Sequence, residues 1–160
     1  MAQNRLRFPV YVCLGIAALV LCGFAGPHKD PFLGTWQLQP EKSTFKPGPA
    51  PDERSMIFEM TGDGLKHTTK TLNGFLGNSI SIVYTAKFDG KDYPVTGAGI
   101  DTIALKRVDA NTIERTGKVG GVQSETGTMK VSPDGKTLTV TINGAYRGTN
   151  YSSVQVLTRE

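Results

Sequence analysis

Cysteine is almost missing from this sequence, because its two cysteines, Cys13 and Cys22, both lie near the N-terminus. The rest of the chain therefore offers no disulfide, no catalytic thiol and no cysteine-based metal site. Of the two histidines, His28 stands far from His67, and neither has a second ligand at the local spacing of a metal site. We accordingly expect no metal and no cofactor.

Motifs of catalysis and nucleotide binding are also missing. The sequence contains no G-x-S-x-G nucleophile motif, no phosphate-binding glycine loop and no dinucleotide fingerprint. Most carboxylates stand in turn sequences, where bonding to the backbone explains them, as with Asp63, Asp89, Asp109 and Asp134. No catalytic residue is predicted.

A concentrated positive charge is absent as well. The formal net charge of +4 becomes +2 once Arg5 and Arg7 are set aside with the N-terminal segment. The other basic residues are interspersed with carboxylates, without a basic block or interleaved aromatic residues. We expect no nucleic-acid partner.

The N-terminal segment has the order of a secretory signal peptide. Arg5 and Arg7 precede an apolar run over residues 10–21 and small residues over 23–26. Cleavage after Ala25 predicts a leader over residues 1–25, a mature domain over 26–160, and a secreted or periplasmic location. A lipoprotein is disfavoured because Leu21 precedes Cys22 where a small residue is needed. The alternative is an uncleaved membrane anchor, which usually needs about 20 apolar residues.

The rest of the chain alternates apolar and polar residues with a period of two, which is typical of half-buried β-strands. Pro40 and Pro47 confine the best helical candidate, Glu41 to Phe45, to about a turn. Turns rich in Asp, Asn and Gly separate the strands. Nine strands are predicted: Gly34 to Gln39, Arg54 to Met60, Leu65 to Thr71, Ser79 to Phe88, Ile100 to Arg107, Thr112 to Val119, Ser124 to Val131, Thr137 to Asn143 and Ser152 to Arg159.

So many strands with almost no helix must cover their apolar face, either by closing into a barrel or by forming two packed sheets. The short sequential turns favour the barrel, because a Greek-key sandwich needs longer crossings. The predicted fold class is all-β: one antiparallel up-and-down β-barrel of about eight to ten strands.

Several motifs together resemble a group of secreted bacterial lipocalin-like, or calycin-type, β-barrel proteins of largely unassigned function. They are "FLGTWQL", "PEKSTF", "YTAKFDGKDYPVTG", "LKRVDANTIE" and "VSPDGKTLTVT", and they extend over residues 32–157. The resemblance implies that Gly34 and Trp36 form the plug at the closed end of the barrel, covered by Arg159 or, alternatively, by Arg147. It supplies no catalytic or binding residues.

Candidate ligand-binding residues follow from the alternation. His67 and Arg115 fall on faces that can point into the interior, where they would orient a carboxylate, a hydroxyl or an anionic group; the alternatives are a rim histidine and an outward arginine. Aromatic and methionine side chains are candidates for the pocket wall or, equally, for core filling: Phe58, Met60, Tyr84 and Phe88.

Two loops are candidates for contacts at the barrel mouth. Tyr93 lies in the Gly- and Pro-containing stretch over residues 91–99 and could gate the mouth; alternatively this stretch only connects two strands. Phe75 and Leu76 lie in a turn where they could touch a ligand, a partner or a membrane, or pack over the barrel end.

The sequence thus predicts a secreted or periplasmic barrel that binds a small hydrophobic or amphiphilic molecule in its interior. The alternative is a filled, envelope-associated interaction or structural protein that acts through its loops. An enzyme ranks third, because only fold analogy supports it. No protein partner is named by the sequence, and no membrane contact is expected for the mature domain.

Overall fold

The computed structural model describes residues 29–73, 79–97 and 99–160, where β-structure dominates. Among these residues the helical structure is one 3-10 turn, Pro40–Lys42, and no helix is long and apolar enough to cross a bilayer. The described strands are β1 (Gly34–Leu38), β2 (Thr44–Lys46), β3 (Glu53–Thr61), β4 (Gly64–Leu72), β5 (Ile80–Ala86), β6 (Tyr93–Thr96), β7 (Thr102–Asp109), β8 (Thr112–Val119), β9 (Val122–Val131), β10 (Thr137–Tyr146) and β11 (Thr149–Arg159). The predicted leader and the turn with Phe75 and Leu76 lie outside the described residues.

Ten of these strands form a closed antiparallel barrel. β1 pairs with β3, each following strand pairs with the next along the chain, and β11 returns to β1. Trp36 stands opposite Met56 on one side and Arg159 on the other. β2 lies outside the ring of ten and pairs with β11, where Phe45 stands opposite Ser153. The prediction of an all-β up-and-down barrel is confirmed, and closure removes the unpaired edges that an open sheet would have.

Two elements differ from the sequence prediction. The predicted helical turn from Glu41 to Phe45 is a 3-10 turn that ends at Lys42 and is followed by β2. The stretch predicted as a loop over residues 91–99 contains β6, which joins β5 to β7 through two residue pairs on each side. Pro94 makes this strand difficult to predict from the sequence, because proline lacks the N–H that a strand residue normally donates.

The barrel interior changes character along its axis. At the closed end, beside the hairpin turns at 61–64, 109–112 and 131–137, the inward residues are apolar and fully buried, including Phe58, Leu65, Leu105, Ile113 and Leu138. At the mouth end, beside the hairpin turns at 119–122 and 146–149, polar side chains enter the interior: Thr69, Thr71, Glu125, Ser153 and Gln155. The polar half is where a site can form, since buried polar groups need partners.

Candidate functional site

Trp36 fills the closed end of the barrel. Its indole is fully buried, and Nε1 donates a hydrogen bond to the carbonyl oxygen of Phe32 at 2.8 Å. The guanidinium carbon of Arg159 lies 4.1 Å from the centre of the Trp36 ring. The Arg159 nitrogens also donate to three backbone carbonyls, those of Leu33, Pro31 and Gly135, at 2.5, 2.6 and 2.9 Å. Arg159 therefore holds the chain before β1 and the turn before β10 against the plug.

Gly34 provides the space for this cover. Its φ is +121°, and a Cβ at this position would stand 2.9 Å from Nη1 of Arg159. Glycine adopts such a φ without strain and leaves the guanidinium its place over the indole. Arg147, the alternative cover, lies instead at the mouth end, 5.3 Å from the ring centre of Tyr146.

Phe88 lies in a second aromatic contact at the closed end. The guanidinium carbon of Arg107 is 4.2 Å from the Phe88 ring centre and 5.4 Å from that of Phe32, and Arg107 forms an ion pair of 2.5 Å with Asp30. β5 ends before Phe88, at Ala86, so the predicted strand is too long at this end. The structure places Phe88 in the closure of the barrel and not in the wall of the polar half.

Met60 and Tyr93 also lie away from the interior site that the sequence suggests. Met60 is 50 % exposed, although its partner in the β3–β4 ladder, Leu65, is fully buried. The Tyr93 hydroxyl donates to Asp89 Oδ2 at 3.1 Å, in the connection that follows β5 at the closed end. Neither residue lines the mouth, and Tyr93 does not gate it.

Phe58, His67 and Tyr84 form an aromatic row across the middle of the interior. They stand opposite one another on β3, β4 and β5. The Phe58 and His67 ring centres are 4.5 Å apart in an edge arrangement, and His67 is stacked on Tyr84 at 4.7 Å. All three are buried. The pairing register, which fixes one face for each strand, thus brings three of the predicted residues together.

His67 is held neutral in this row. Burial, and next the positive charges of Arg115 and Arg54, lower its pKa from 6.5 to about 3. Its Nε2 is hydrogen-bonded to the Thr69 hydroxyl. A neutral imidazole can still donate or accept one hydrogen bond through its second nitrogen.

Three buried polar atoms of the interior have no hydrogen-bond partner among the described residues: His67 Nδ1, Tyr84 OH and Arg115 Nε. Burial raises the pKa of Tyr84 to about 12, so its hydroxyl keeps the proton that it can donate. A buried polar atom without a partner costs about 1–3 kcal/mol. Groups from β4, β5 and β8 are therefore available for a further polar partner.

Arg115 points inward and is paired with a buried carboxylate. Its Nη2 is hydrogen-bonded to Glu125 Oε1, and the side chains are only 13 % and 9 % exposed. The Tyr151 hydroxyl donates to the other carboxylate oxygen at 2.5 Å. Burial, and next the hydrogen bond to Glu125, raise the pKa of Tyr151. The sequence analysis suggested an inward Arg115 but did not select Glu125 or Tyr151.

Two glycines on the flanking strands make room for Glu125. Gly117 on β8 and Gly144 on β10 stand opposite Glu125 in register. A Cβ at Gly117 would lie 2.6 Å from Glu125 Cγ, and one at Gly144 would lie 2.7 Å from the Tyr151 hydroxyl. Small residues on both sides therefore allow a long polar side chain inside the barrel.

Arg54 is a second inward guanidinium, which the sequence interpretation did not select. Nε donates to Thr71 Oγ1 at 2.9 Å, Nη1 donates to Gln155 Oε1 at 2.6 Å, and Gln155 donates to Ser153 at 3.0 Å. The Arg54 guanidinium carbon lies 5.4 Å from the Phe45 ring centre. The sequence signal that could have identified Arg54 is its alternation with the inward residues Met56 and Phe58. Glu125 could have been identified in the same way, because it alternates with Met129 and Val131.

Two of the surface clefts formed by the described residues have volumes of about 420 and 460 Å³. The first is lined by Lys46, Asn143, Gly144, Asn150, Tyr151 and Ser152. The second is lined by Gly99, Asp101, Val119, Ser124, Ala145, Tyr146 and Arg147. Neither includes the aromatic row, whose rings pack on one another. The first cleft includes Tyr151, and therefore reaches a residue that contacts the buried ion pair.

The arrangement offers hydrogen-bond donors, one neutral imidazole and two partly buried cations against one carboxylate. Among the described residues, no group of three or more His, Cys, Asp or Glu side chains lies together as a metal site would require. The chain matches no protein-family model, and no curated protein matches it either. The chemistry of these side chains is therefore the basis for a functional assignment.

Proposed function

We propose that this barrel binds a small, partly apolar molecule in its interior, as a binding protein and not as an enzyme. The observation that carries the proposal is the set of three buried polar atoms without a partner among the described residues. Each would gain a hydrogen bond from a polar group of the ligand, and an unmade hydrogen bond in a buried site is costly. Ligand sites commonly combine such convergent polar atoms with apolar walls.

In this proposal each end of the barrel has its own role. The plug formed by Trp36 and Arg159 seals the closed end, so the ligand passes through the mouth end. The polar group of the ligand reaches the unpartnered atoms of Tyr84 and Arg115, while its apolar part lies against the aromatic row. Because His67 and Tyr84 are stacked at 4.7 Å, ligand binding requires these rings to shift or the ligand to lie above them.

Native mass spectrometry tests this proposal most directly. The protein is exported with its own leader, purified without detergent, and measured before and after denaturing extraction. A bound mass that is released on denaturation supports interior binding, and a polypeptide mass that begins near Gly26 supports the proposed export. A bare polypeptide that also binds nothing from a panel of lipids and aromatic compounds would contradict the proposed function.

A second candidate function is interaction with another protein through the loops of a filled barrel. Its specific support is a set of exposed apolar side chains at the mouth end: Leu72, Val119, Val122 and Tyr146. Val122, at 71 %, is the most exposed of them. Apolar residues gathered at one end of a small protein are typical of an interaction surface.

Paired charge substitutions test the second candidate. Leu72→Asp with Val122→Asp should abolish cross-linking to an envelope partner. Met60→Asp with Val108→Asp serves as the control, because both residues are exposed to a similar degree at the closed end. Equal cross-linking by both paired variants would argue against an interaction through the mouth end.

A further inference from the structure

Arg54 is a partly buried cation whose partners are neutral. Its hydrogen bonds go to the Thr71 hydroxyl and the Gln155 amide oxygen, and among the described residues no carboxylate lies within ion-pair distance of it. Burial, and next the positive charge of Arg115, lower the pKa of Arg54 from 12.5 to about 10. Even so, the guanidinium stays charged at neutral pH.

The charges of the polar half do not balance. Arg115 is neutralised by Glu125, His67 is uncharged at neutral pH, and Arg54 therefore leaves one positive charge in excess. A charge taken out of water is costly unless it is paired.

We propose that the ligand of this barrel is a monocarboxylate with an apolar or aromatic group, and that its carboxylate is held by Arg54 beside the Arg115–Glu125 pair. This assignment rests on the proposed interior binding and specifies its ligand class. Guanidinium groups recognise carboxylates through two parallel hydrogen bonds, and such charge-assisted bonds are among the strongest in proteins.

The size of the excess charge selects a carboxylate over a phosphate. One negative charge makes the polar half neutral, whereas a phosphate monoester, with close to two charges at neutral pH, leaves a net negative charge inside it. The unpartnered Nε of Arg115 and hydroxyl of Tyr84 supply two further donors toward an oxyanion. Phe45, which lies 5.4 Å from the Arg54 guanidinium carbon, supplies an apolar neighbour for the rest of the ligand.

Calorimetric titration at neutral pH with octanoate, octanamide and octyl phosphate tests the assignment. We expect octanoate to bind about tenfold or more tightly than octanamide, because the amide lacks the charge that strengthens the hydrogen bonds. Octyl phosphate should bind more weakly than octanoate. Equal affinity for octanoate and octanamide, or a preference for the phosphate, would overturn the carboxylate assignment while leaving interior binding intact.

The combination with native mass spectrometry separates the two proposals. If none of the three compounds binds but the purified protein carries a releasable mass, the carboxylate assignment fails and the proposed function stands. If none binds and the protein is bare, both fail.

Charge removal at Arg54 provides the site-specific test. Arg54→Met should lower octanoate affinity about tenfold or more and leave octanamide binding unchanged. Lys70→Met is the matched control, because it removes a positive charge from the neighbouring pair position but on the exposed outer face. Should Arg54→Met fail to fold, Arg54→Gln removes the same charge and keeps a polar side chain opposite Thr71. Unchanged octanoate affinity in the folded Arg54 variant would overturn the proposal.

Discussion

Arg159 and Trp36 stand directly opposite each other in the ladder that joins the last strand of the barrel to the first. The guanidinium carbon lies 4.1 Å from the centre of the indole ring, and the same guanidinium donates to three backbone carbonyls of the closed end. One side chain thus covers the plug and fastens the seam at which the barrel closes.

Arg159→Lys should lower the free energy of unfolding by about 1–2 kcal/mol, because lysine keeps the charge but cannot reach all three carbonyls from above the ring. Urea denaturation measures this change. Arg147→Lys is the matched control and should change stability by less than about 0.5 kcal/mol, as is usual for surface substitutions. Equal effects of the two substitutions would show that the cover contributes nothing specific.

The buried pair of Arg115 and Glu125 should show strong coupling. Arg115→Met leaves the Glu125 carboxylate buried with only Tyr151 as a partner, and we expect a loss of about 3–5 kcal/mol in the free energy of unfolding. The double variant Arg115→Met with Glu125→Gln should recover much of this loss, because the remaining side chain is neutral. Chemical denaturation of the wild type, the two single variants Arg115→Met and Glu125→Gln, and the double variant completes the double-mutant cycle. Additive effects of the two substitutions would contradict a buried ion pair.

Tyr84 and Tyr93 form a matched pair for testing an unpartnered hydroxyl. Tyr84→Phe removes a buried hydroxyl without a partner among the described residues, so we expect the ligand-free protein to gain about 1 kcal/mol or more in stability. Tyr93→Phe removes a hydroxyl that donates to Asp89, so no gain is expected. Thermal denaturation compares them. A loss of stability in ligand-free Tyr84→Phe would show that the hydroxyl already has a partner.

His67 should make the protein less stable in acid. Its pKa is about 3 in the folded protein and about 6.5 when unfolded, so below pH 6.5 the unfolded chain binds a proton that the folded one does not. Stability is therefore lost as the pH falls from about 6.5 toward 3, by up to about 1.4 kcal/mol per pH unit.

Urea denaturation of the wild type and His67→Gln between pH 7 and pH 4 isolates this contribution. The wild type should lose more stability over this range than the variant, which has no imidazole at this position. Proton NMR provides an independent check, since the His67 ring resonances should not titrate between pH 5 and pH 8. A titration midpoint near 6.5 would show that His67 is not buried as the structure places it.

The alternation of apolar residues was sufficient to predict most of the barrel strands. β8 has the predicted bounds, and β4 extends the predicted strand by one residue at each end. β6 was missed because its four residues include Pro94, and because its pairing with β5 and β7 depends on neighbours distant in sequence. Local propensity cannot reveal a strand that only its neighbours stabilise.

The candidate site, like the fold, was predicted from the sequence only in part. Phe58, His67, Tyr84 and Arg115 were predictable because each follows an apolar alternation that assigns it to an inward face. Phe88 and Met60 follow the same alternation, but Phe88 packs at the closed end and Met60 is half exposed, and alternation alone does not reveal either position. The alternation also assigns Arg54 and Glu125 to inward faces. They were not predicted as site residues, because a charged residue is expected inside a barrel only when its partners are known.

The sequence by itself determined the all-β class and the up-and-down order of strands, and it pointed to Gly34 and Trp36 as the start of the closed end. These features depend on local alternation, on turn chemistry and on a motif of adjacent residues. Only the tertiary structure decided which polar side chains meet inside the barrel, because Arg54 and Gln155, or Glu125 and Tyr151, become neighbours through closure and register. Burial then sets their electrostatics, since a charge that water would screen on the surface must find a partner in the interior.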